Sequence, residues 1–447
     1  MPDNIHKMAV SVELDYDKCI GCTMCVRRCQ EIGVNYLKMN EDADKKHADF
    51  VPDPDVDCIY CGQCTLKCPV DAIREQSQIE ELEKALNKEG EYADKILIAQ
   101  MAPSIRSSIG EMFGQEPGTI LTEQMFTALR KLGFDKIFDI NMGADITTYT
   151  EALELAERIK EGGVMPMFTS CCPAWVKYAE FYHPEILPHL TTARSPHIHS
   201  GGAYKTYWAD REGIDPTKIV VVSFVPCTAK KYEATLEKFN VRGLPPVDIV
   251  LTTRELGRLL KKKEINPVEL EPGEVDTYGQ YSGAAAIYGA SGGVMESALR
   301  SAHFFLTGEE LEMDRIKFED VRGMDGIKRA EVEVGGKKLH VAVASQVNNA
   351  QVLIDEVKEN KSKYDYIEVM SCPGGCVGGG GQPIPSSPKI VDERRKALYT
   401  LDDNLEVRKA HKNPVVADMF DNYLANLPDE ERSAIIHTSF RKRDKGE

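Results

Sequence analysis

Residues 58–69 read CIYCGQCTLKCP and residues 19–30 read CIGCTMCVRRCQ, so the cysteine spacing C-x2-C-x2-C-x3-C occurs twice near the start of the chain. Disulfide scaffolds of secreted proteins are usually short, whereas this chain has 447 residues, and its first residues do not have the pattern expected of an export signal. Cysteines at such tight spacings are typical of metal binding. The sequence therefore predicts an N-terminal part built around metal.

The doubled run has the spacing of two-cluster [4Fe–4S] proteins, in which the fourth cysteine of each run binds the other cluster. One cluster is expected to bind Cys19, Cys22, Cys25 and Cys68, and the other to bind Cys58, Cys61, Cys64 and Cys29. Zinc sites usually take cysteines in paired C-x2-C knuckles, which a run of three plus one does not match. Gln30 replaces the usual proline after the first run, but proline is not a ligand.

Composition limits the classes of function. The formal net charge is −16, from 55 basic and 71 acidic residues, which disfavours binding to nucleic acid or to a membrane surface. No apolar run approaches the roughly 18 residues of a membrane-spanning helix, and the first residues lack the apolar core of a signal peptide. We therefore expect a cytoplasmic protein with no membrane or nucleic-acid partner.

The thirteen cysteines fall in two zones, eight in residues 19–68 and five in residues 171–376. Residues 79–94 are predicted to form a connecting helix. Beyond it, apolar and amphipathic stretches alternate, as in α/β domains. Strands are predicted over 95–101, 136–140, 165–170, 218–225 and 364–370, a helix over 148–160, and a hairpin over 331–340. Three of these strands run directly into cysteines, at the edge where open α/β sheets usually bind ligands.

Three segments of the second zone carry the chemistry. Residues 169–175 read TSCCPAW, residues 225–233 read VPCTAKKYE, and residues 370–383 read MSCPGGCVGGGGQP. In this order they resemble the three signature loops of the [FeFe]-hydrogenases, which in that family read TSCCPGW, MPCxxKxxE and a glycine-rich CPGGCxxGGGQP type. The resemblance extends from the doubled cysteine run to the C-terminus. It implies an enzyme that interconverts protons, electrons and H2.

The resemblance also implies an H-cluster, a third [4Fe–4S] cubane bridged to a two-iron unit with CO, cyanide and a dithiolate amine. The cubane ligands implied are Cys172, Cys227, Cys372 and Cys376, the last of which also bridges to the two-iron unit. Lys230 and Ser104 match positions near the two cyanides, and Met370 matches a residue packed beside the two-iron unit. Three cubanes use twelve thiolates, which leaves Cys171.

By the same resemblance, Cys171 passes protons to and from the amine. A thiol suits this role because its ordinary pKa of about 8.5 is within reach of neutral pH. Further relay positions implied by register are Glu151, Glu154, Arg158 and Thr191, where threonine replaces serine. Ala174 and Val225 replace a glycine and a methionine of the family beside the cofactor, which indicates a divergent subgroup.

The fold class expected is an α+β ferredoxin-like domain (1–80), a two-lobed α/β catalytic domain (95–383) and a small-subunit-like helical segment (384–447). Expected partners are ferredoxin or a similar electron carrier and the maturation enzymes. A catalytic subunit of a larger redox complex, a hydrogen sensor and a plain electron-transfer protein are alternatives. The sensor typically lacks the relay cysteine, and the complete set of loops argues against the last. His197 and His199 form only a weak H-x-H signal.

Overall fold

The N-terminal part has short strands and a helix around the doubled cysteine run. The structure, a computed structural model, describes residues 5–42, 45–360 and 363–447. Its first strands are β1 (Ile5–Met8), β2 (Val12–Asp15), β3 (Leu37–Asn40), β4 (His47–Phe50) and β5 (Ile73–Glu75). They pair antiparallel, as a sheet in the order β1-β2-β5 and as a β3–β4 hairpin. The helix Met24–Glu31 buries Cys25 and Cys29, so this part has the predicted α+β character.

A parallel sheet forms the first lobe of the catalytic domain. Its strands are β6 (Ile96–Met101), β7 (Lys136–Asp139), β9 (Ile219–Val225) and β10 (Ile249–Thr252), in the order β10-β9-β6-β7. Strand β9 is buried at every residue, which explains why all its residues but Ser223 are apolar, because helices cover both faces of such sheets.

A mixed sheet forms the second lobe. Its strands are β8 (Met167–Phe168), β11 (Ile327–Val334), β12 (Lys337–Ser345) and β13 (Tyr366–Met370), in the order β11-β12-β13-β8. Strands β12, β13 and β8 are parallel, and β11 pairs antiparallel with β12 as the predicted hairpin. Gly335 and Gly336 turn this hairpin with φ values of 60° and 71°, as a tight turn of this type requires.

Helices cover both sheets. In the described part of the chain after β5 they are Ile79–Leu86, Thr122–Leu132, Ile140–Glu161, Pro173–Tyr182, Pro196–Ala203, Ala209–Glu212, Ala229–Glu233, Thr253–Lys262, Gly283–Ala286, Gly293–Thr307, Val347–Glu359, Pro388–Asn404, Pro414–Asp418 and Asp429–Ile436.

Three predicted boundaries were wrong. The connecting helix ends at Leu86 rather than at 94, because Lys88 adopts a positive φ and Gly90 follows it. The helix predicted over 148–160 begins at Ile140, where Asp139 accepts a hydrogen bond from the Asn141 amide. The strand predicted over 165–170 is reduced to β8, since only Met167 and Phe168 pair with β13.

The N-terminal part packs tightly against the catalytic domain. One continuous apolar cluster joins Val12, Leu14 and Ile73 to Trp175 and Val347. Next to it, Asp57 and Lys177 form an ion pair of 2.9 Å with side chains only 4% and 1% exposed. A shared core and buried ion pairs fix the position of the doubled cysteine run relative to the second cysteine zone.

Glu75 anchors a second contact between the two parts. Its carboxylate forms ion pairs with Arg254 and Arg258, each at 2.6 Å. The Arg254 side chain is buried, with 9% of its surface exposed, whereas the Arg258 side chain is 48% exposed. Burial alone would raise the pKa of Glu75, but the two arginines outweigh it and lower the pKa to about 2. Glu75 is therefore a buried anion that depends on its partners.

The C-terminal segment closes the structure. Arg394 of the helix Pro388–Asn404 pairs with Glu111 at 2.6 Å, and Asp402 pairs with the fully buried Arg300 at 2.8 Å. Near the end of the chain, Lys445 donates to the Val51 carbonyl at 2.9 Å. The segment thus contacts both the catalytic domain and the N-terminal part. Among the described residues, no helix is long and apolar enough to cross a membrane.

We expect Arg254→Met to destabilise the protein by about 3 kcal/mol, because it leaves Glu75 as a poorly compensated buried charge. The matched variant Arg258→Met removes the exposed partner of the same carboxylate and is expected to cost less than about 1 kcal/mol. Thermal unfolding followed by circular dichroism measures the difference. Equal losses in the two variants would contradict this account of the contact.

Candidate active site

A large cavity lies at the meeting point of the two lobes. Strands β6, β8, β9 and β13 all end at this cavity, so the loops that follow them form its wall. The residues predicted to surround the H-cluster all line it: Ser104, Cys171, Cys172, Cys227, Lys230, Met370, Cys372 and Cys376. The structure therefore brings together side chains from four separate segments of the sequence.

Glycines allow these loops to approach one another. A Cβ atom on Gly379 would lie 2.3 Å from the Pro226 carbonyl oxygen, and one on Gly380 would lie 2.3 Å from the Cys61 carbonyl oxygen. Either contact is shorter than real side chains show, so only glycine fits. The glycine-rich third loop is thus packed between the second loop and the doubled cysteine run.

The doubled run surrounds two smaller cavities. One is lined by Cys19, Cys22, Cys25 and Cys68, and the other by Cys29, Cys58, Cys61 and Cys64. This is the grouping predicted from the crossed pattern of the two runs. Cys61 also lines the large cavity, so the second group of four directly adjoins the active-site wall.

The donor sets suit iron–sulphur clusters. Burial and the neighbouring Cys19 and Cys68 raise the pKa of Cys25 to about 12, and burial raises the pKa values of Cys61 and Cys227 to about 12 as well. Thiols with pKa values this high stay protonated at neutral pH unless a metal cation takes the place of the protons. Four soft thiolates around one small cavity match the ligand requirement of a [4Fe–4S] cubane.

Unpartnered polar atoms in the large cavity point to a further group. The Ser104 hydroxyl and His197 Nδ1 are buried and have no hydrogen-bond partner within the described residues, although both residues line the cavity. A buried polar atom without a partner is costly. A cofactor with polar ligands beside its cubane fits these atoms better than an empty apolar space does.

Glu233 holds Lys230 at the cavity wall. One carboxylate oxygen, Oε2, accepts hydrogen bonds from Lys230 at 2.8 Å, from Ser195 at 2.9 Å and from His197 Nε2 at 2.7 Å. Burial would raise the pKa of Glu233, but Lys230 and His197 lower it to about 2. Lys230 also donates to the Cys171 carbonyl at 3.2 Å. The lysine is therefore a fixed cation beside the first loop.

The predicted relay residues form two groups. In the outer group, Glu154 accepts from Arg158 at 2.5 Å through one oxygen and from Thr191 at 2.8 Å through the other. In the inner group, Glu151 is fully buried. Burial of Cys171, together with the charge of Glu151, raises the pKa of this thiol well above its usual value. Within the described residues, no hydrogen bond links Glu151 to Thr191 or Glu154.

Burial makes the carboxyl group of Glu151 an unusually weak acid. Desolvation raises its pKa to about 8, although a hydrogen bond from the Tyr366 hydroxyl acts in the opposite direction. The carboxyl group is therefore mostly protonated at neutral pH. A carboxyl group with a pKa near the working pH can both accept and release a proton.

Several residues of the site carried no recognisable sequence signal. The sequence patterns did not single out Tyr366, Tyr288 or Thr192, yet Tyr366 binds Glu151, and Thr192 donates to Glu154 at 2.9 and 3.0 Å through its amide and hydroxyl. The two histidines of the H-x-H signal separate: His197 lines the cavity, whereas His199 bonds to Thr147 and to the Ile436 carbonyl. They do not form a shared metal site.

Comparison with known families agrees with this geometry. The model of the iron only hydrogenase large subunit, C-terminal domain, matches residues 95–380. Models of a 4Fe-4S dicluster domain and of the iron hydrogenase small subunit match residues 8–73 and 388–443. The chain belongs to the [FeFe]-hydrogenase family, as the three loops predicted.

Individual relatives place the chain among the hydrogenases. It is 42% identical to iron hydrogenase 1 of Clostridium pasteurianum, over 98% of this chain and 77% of that protein. It is 40% identical to the NADP-reducing hydrogenase subunit HndD of Solidesulfovibrio fructosivorans, over 98% and 76%. The solved structure of the [FeFe]-hydrogenase HydA1 from Chlamydomonas reinhardtii superposes with a TM-score of 0.70 at 36% identity, covering 81% of this chain and 98% of that one. The enzyme class is hydrogenase, with a two-cluster [4Fe–4S] domain and an H-cluster domain.

We expect about 14 iron atoms per chain in the matured protein and about 12 after expression without maturation enzymes, since three cubanes hold twelve irons. Cys172→Ala is expected to lower the count by about four in the unmatured protein, because a cubane that loses one of its four thiolates is poorly held. In the matured protein the loss is expected to be about six, since the two-iron unit is attached to that cubane. Iron assay of the purified proteins measures each value. A matured protein with about eight irons would contradict the third cubane.

Proposed function

We propose that this chain catalyses 2 H⁺ + 2 e⁻ ⇌ H2 at an H-cluster in the large cavity, with electrons exchanged with an external ferredoxin-type carrier through two [4Fe–4S] clusters. The observation that carries the proposal is the convergence of the five cysteines of the second zone with Lys230 and Ser104 on one cavity. Cys172, Cys227, Cys372 and Cys376 would hold the cubane, and Cys376 would also bridge to the two-iron unit. When bound, this cofactor supplies the redox-active iron at which electrons and protons combine.

The contacts around Cys61 support an electron path into the cavity. Gln63 donates to the Gly378 carbonyl at 2.7 Å, and Thr65 donates to the Gly380 carbonyl at 3.0 Å. Thr228, next to the proposed ligand Cys227, donates to the Tyr60 carbonyl at 2.6 Å. These bonds hold the second cysteine group against the third and second loops. A close, rigid contact of this kind favours fast electron transfer.

The outer end of the proposed electron path lies at the protein surface, beside the first cysteine run. Ile20 and Met24 of the first cysteine run are 58% and 43% exposed, and Val70 is 37% exposed. Ile20 and Val70 line the cavity of the first cysteine group. Exposed apolar residues beside a redox centre suit a transient partner. We assign this surface to the electron carrier.

Two separate groups of residues support the movement of protons. Cys171 lines the cavity and is the thiol that would exchange protons with the cofactor. Glu151 would accept the proton next, and the group formed by Glu154, Arg158 and Thr191 would lead it outward. The gap between Glu151 and Thr191 is the place where a water molecule would complete the path.

Lys230 supports orientation of the cofactor. Its charge is fixed by Glu233 and faces a mostly apolar wall, where a cation interacts strongly with any anionic ligand. Cyanide is such a ligand. Ser104, whose hydroxyl lacks a partner within the described residues, would donate to the second cyanide, and Met370 would pack beside the two-iron unit. The maturation enzymes that insert this unit would be required partners.

The alternative functions require different residues and partners. A hydrogen sensor does not require a thiol that transfers protons. This chain has such a thiol, Cys171, next to Glu151, whose carboxyl group is mostly protonated at neutral pH. Membership of a larger complex is compatible with the proposal, and the relative named as a subunit favours it. In that case the carrier surface around Ile20 would contact a partner subunit. A cytoplasmic location remains a prediction.

Cys171→Ala is expected to keep the full iron content of the matured protein, while turnover falls about 100- to 10,000-fold, the usual contribution of a positioned proton donor. Cys171→Asp should restore part of the rate, because a carboxyl group also carries a proton. Hydrogen evolution with a chemical electron donor, measured together with iron content, tests both. Near-normal turnover of Cys171→Ala, or loss of iron from it, would refute the role of this thiol.

A further inference from the structure

The two oxygens of the Glu151 carboxyl group have different environments. Oε1 accepts a hydrogen bond from the Tyr366 hydroxyl. Oε2 is buried and has no hydrogen-bond partner within the described residues. A protonated carboxyl group has one carbonyl oxygen, which accepts, and one hydroxyl oxygen, which donates. The contact with Tyr366 therefore fixes Oε1 as the carbonyl oxygen.

Tyr366 is held rigidly enough to impose this choice. It lies in the central strand β13, between Val341 of β12 and Met167 of β8. Its side chain is fully buried, in an apolar cluster with Leu155 and Leu299. Burial, with the charge of Glu151, raises the pKa of Tyr366 well above its usual value. The phenol thus keeps its proton and acts as the donor.

Other elements around Glu151 provide charged or polar groups but no second hydrogen bond within the described residues. They are Glu154 and Arg158 on its own helix, Glu368 on β13, Cys171 in the first loop and Tyr288 after the helix Gly283–Ala286. The hydroxyl of Tyr288 is engaged by Thr148 at 2.9 Å. Tyr366 is thus the donor that fixes the orientation of this carboxyl group.

We propose that Tyr366 is a positioning residue of the proton relay: its hydroxyl occupies Oε1 of Glu151 and so makes Oε2 the one oxygen that exchanges protons with the cavity side. This inference rests on the relay in the proposed function. It adds a residue from the neighbouring sheet that acts on the relay through Glu151 and does not itself carry the proton. The strand that leads into Cys372 thus also orients the proton acceptor.

Loss of the hydroxyl has two consequences. A carbonyl oxygen that no longer accepts a hydrogen bond absorbs infrared light at a higher frequency. The hydrogen bond from Tyr366 also favours the ionised form of Glu151, so its loss raises the pKa of that carboxyl group further. Both consequences belong to Glu151 and are independent of metal content.

The test is Tyr366→Phe in the matured full-length protein. The carbonyl band of Glu151 is assigned at pH 7 as the band that disappears in Glu151→Gln. We expect this band to move to higher frequency in Tyr366→Phe, the alkaline inflection of the pH–activity profile to move to higher pH, and turnover at pH 7 to fall several-fold with unchanged iron content. Tyr364→Phe is the matched control, because Tyr364 donates to Glu356 just before the same strand. It should leave the band and the profile unchanged.

An unchanged band in Tyr366→Phe would overturn the proposal, and so would the absence of any carboxylic acid band assignable to Glu151. Failure of the relay itself has a different signature. Full turnover in Glu151→Gln would exclude Glu151 from proton transfer, whatever Tyr366→Phe does to the band. The two results separate the positioning role of Tyr366 from the proposed function on which it depends.

Discussion

Strands from two sheets end at one apolar cavity, and every other feature of the site depends on that convergence. Strand β9 leads to Cys227, β13 to Cys372 and Cys376, and β8 to Cys171 and Cys172. Glycines in the third loop bring the backbone of one loop against the next. The strands, and not the loops alone, therefore determine the distances between the thiols. Side chains that approach from rigid strands are held more precisely than side chains on free loops.

The same convergence keeps the proposed electron path apart from the proposed proton path. The doubled cysteine run reaches the cavity through Cys61, whereas Cys171 and Glu151 meet at the side formed by the helix Ile140–Glu161. Because the N-terminal part shares a core with the second lobe, the doubled cysteine run has a fixed position relative to the cavity, as the proposed electron path requires. Burial keeps bulk solvent away from both proposed paths. Burial also strengthens the electrostatic interaction of the few polar groups with a cofactor bound in the cavity. This applies above all to the ion pair of Lys230 with Glu233.

Much of this was predictable from the sequence, for identifiable reasons. Cysteine spacing gave the crossed grouping of the doubled run, because short turns leave few alternatives. Loop order gave the family and the residues of the large cavity. The beginning of the helix at Ile140 and the roles of Tyr366, Thr192 and Ser195 were not predictable. They depend on contacts between segments far apart in sequence, as when Tyr366 meets Glu151, 215 residues away. A tyrosine in a buried strand has no sequence signal that distinguishes a packing role from a hydrogen-bonding one.

The central claim is that the cavity holds iron with CO and cyanide ligands next to a cubane. An infrared spectrum of the matured, purified wild-type protein tests this claim most directly, because bands of iron-bound CO and cyanide have almost no other origin in a protein. The account predicts such bands, with shifts when the protein is placed under H2. A protein that carries its full complement of iron and shows no such bands would contradict it.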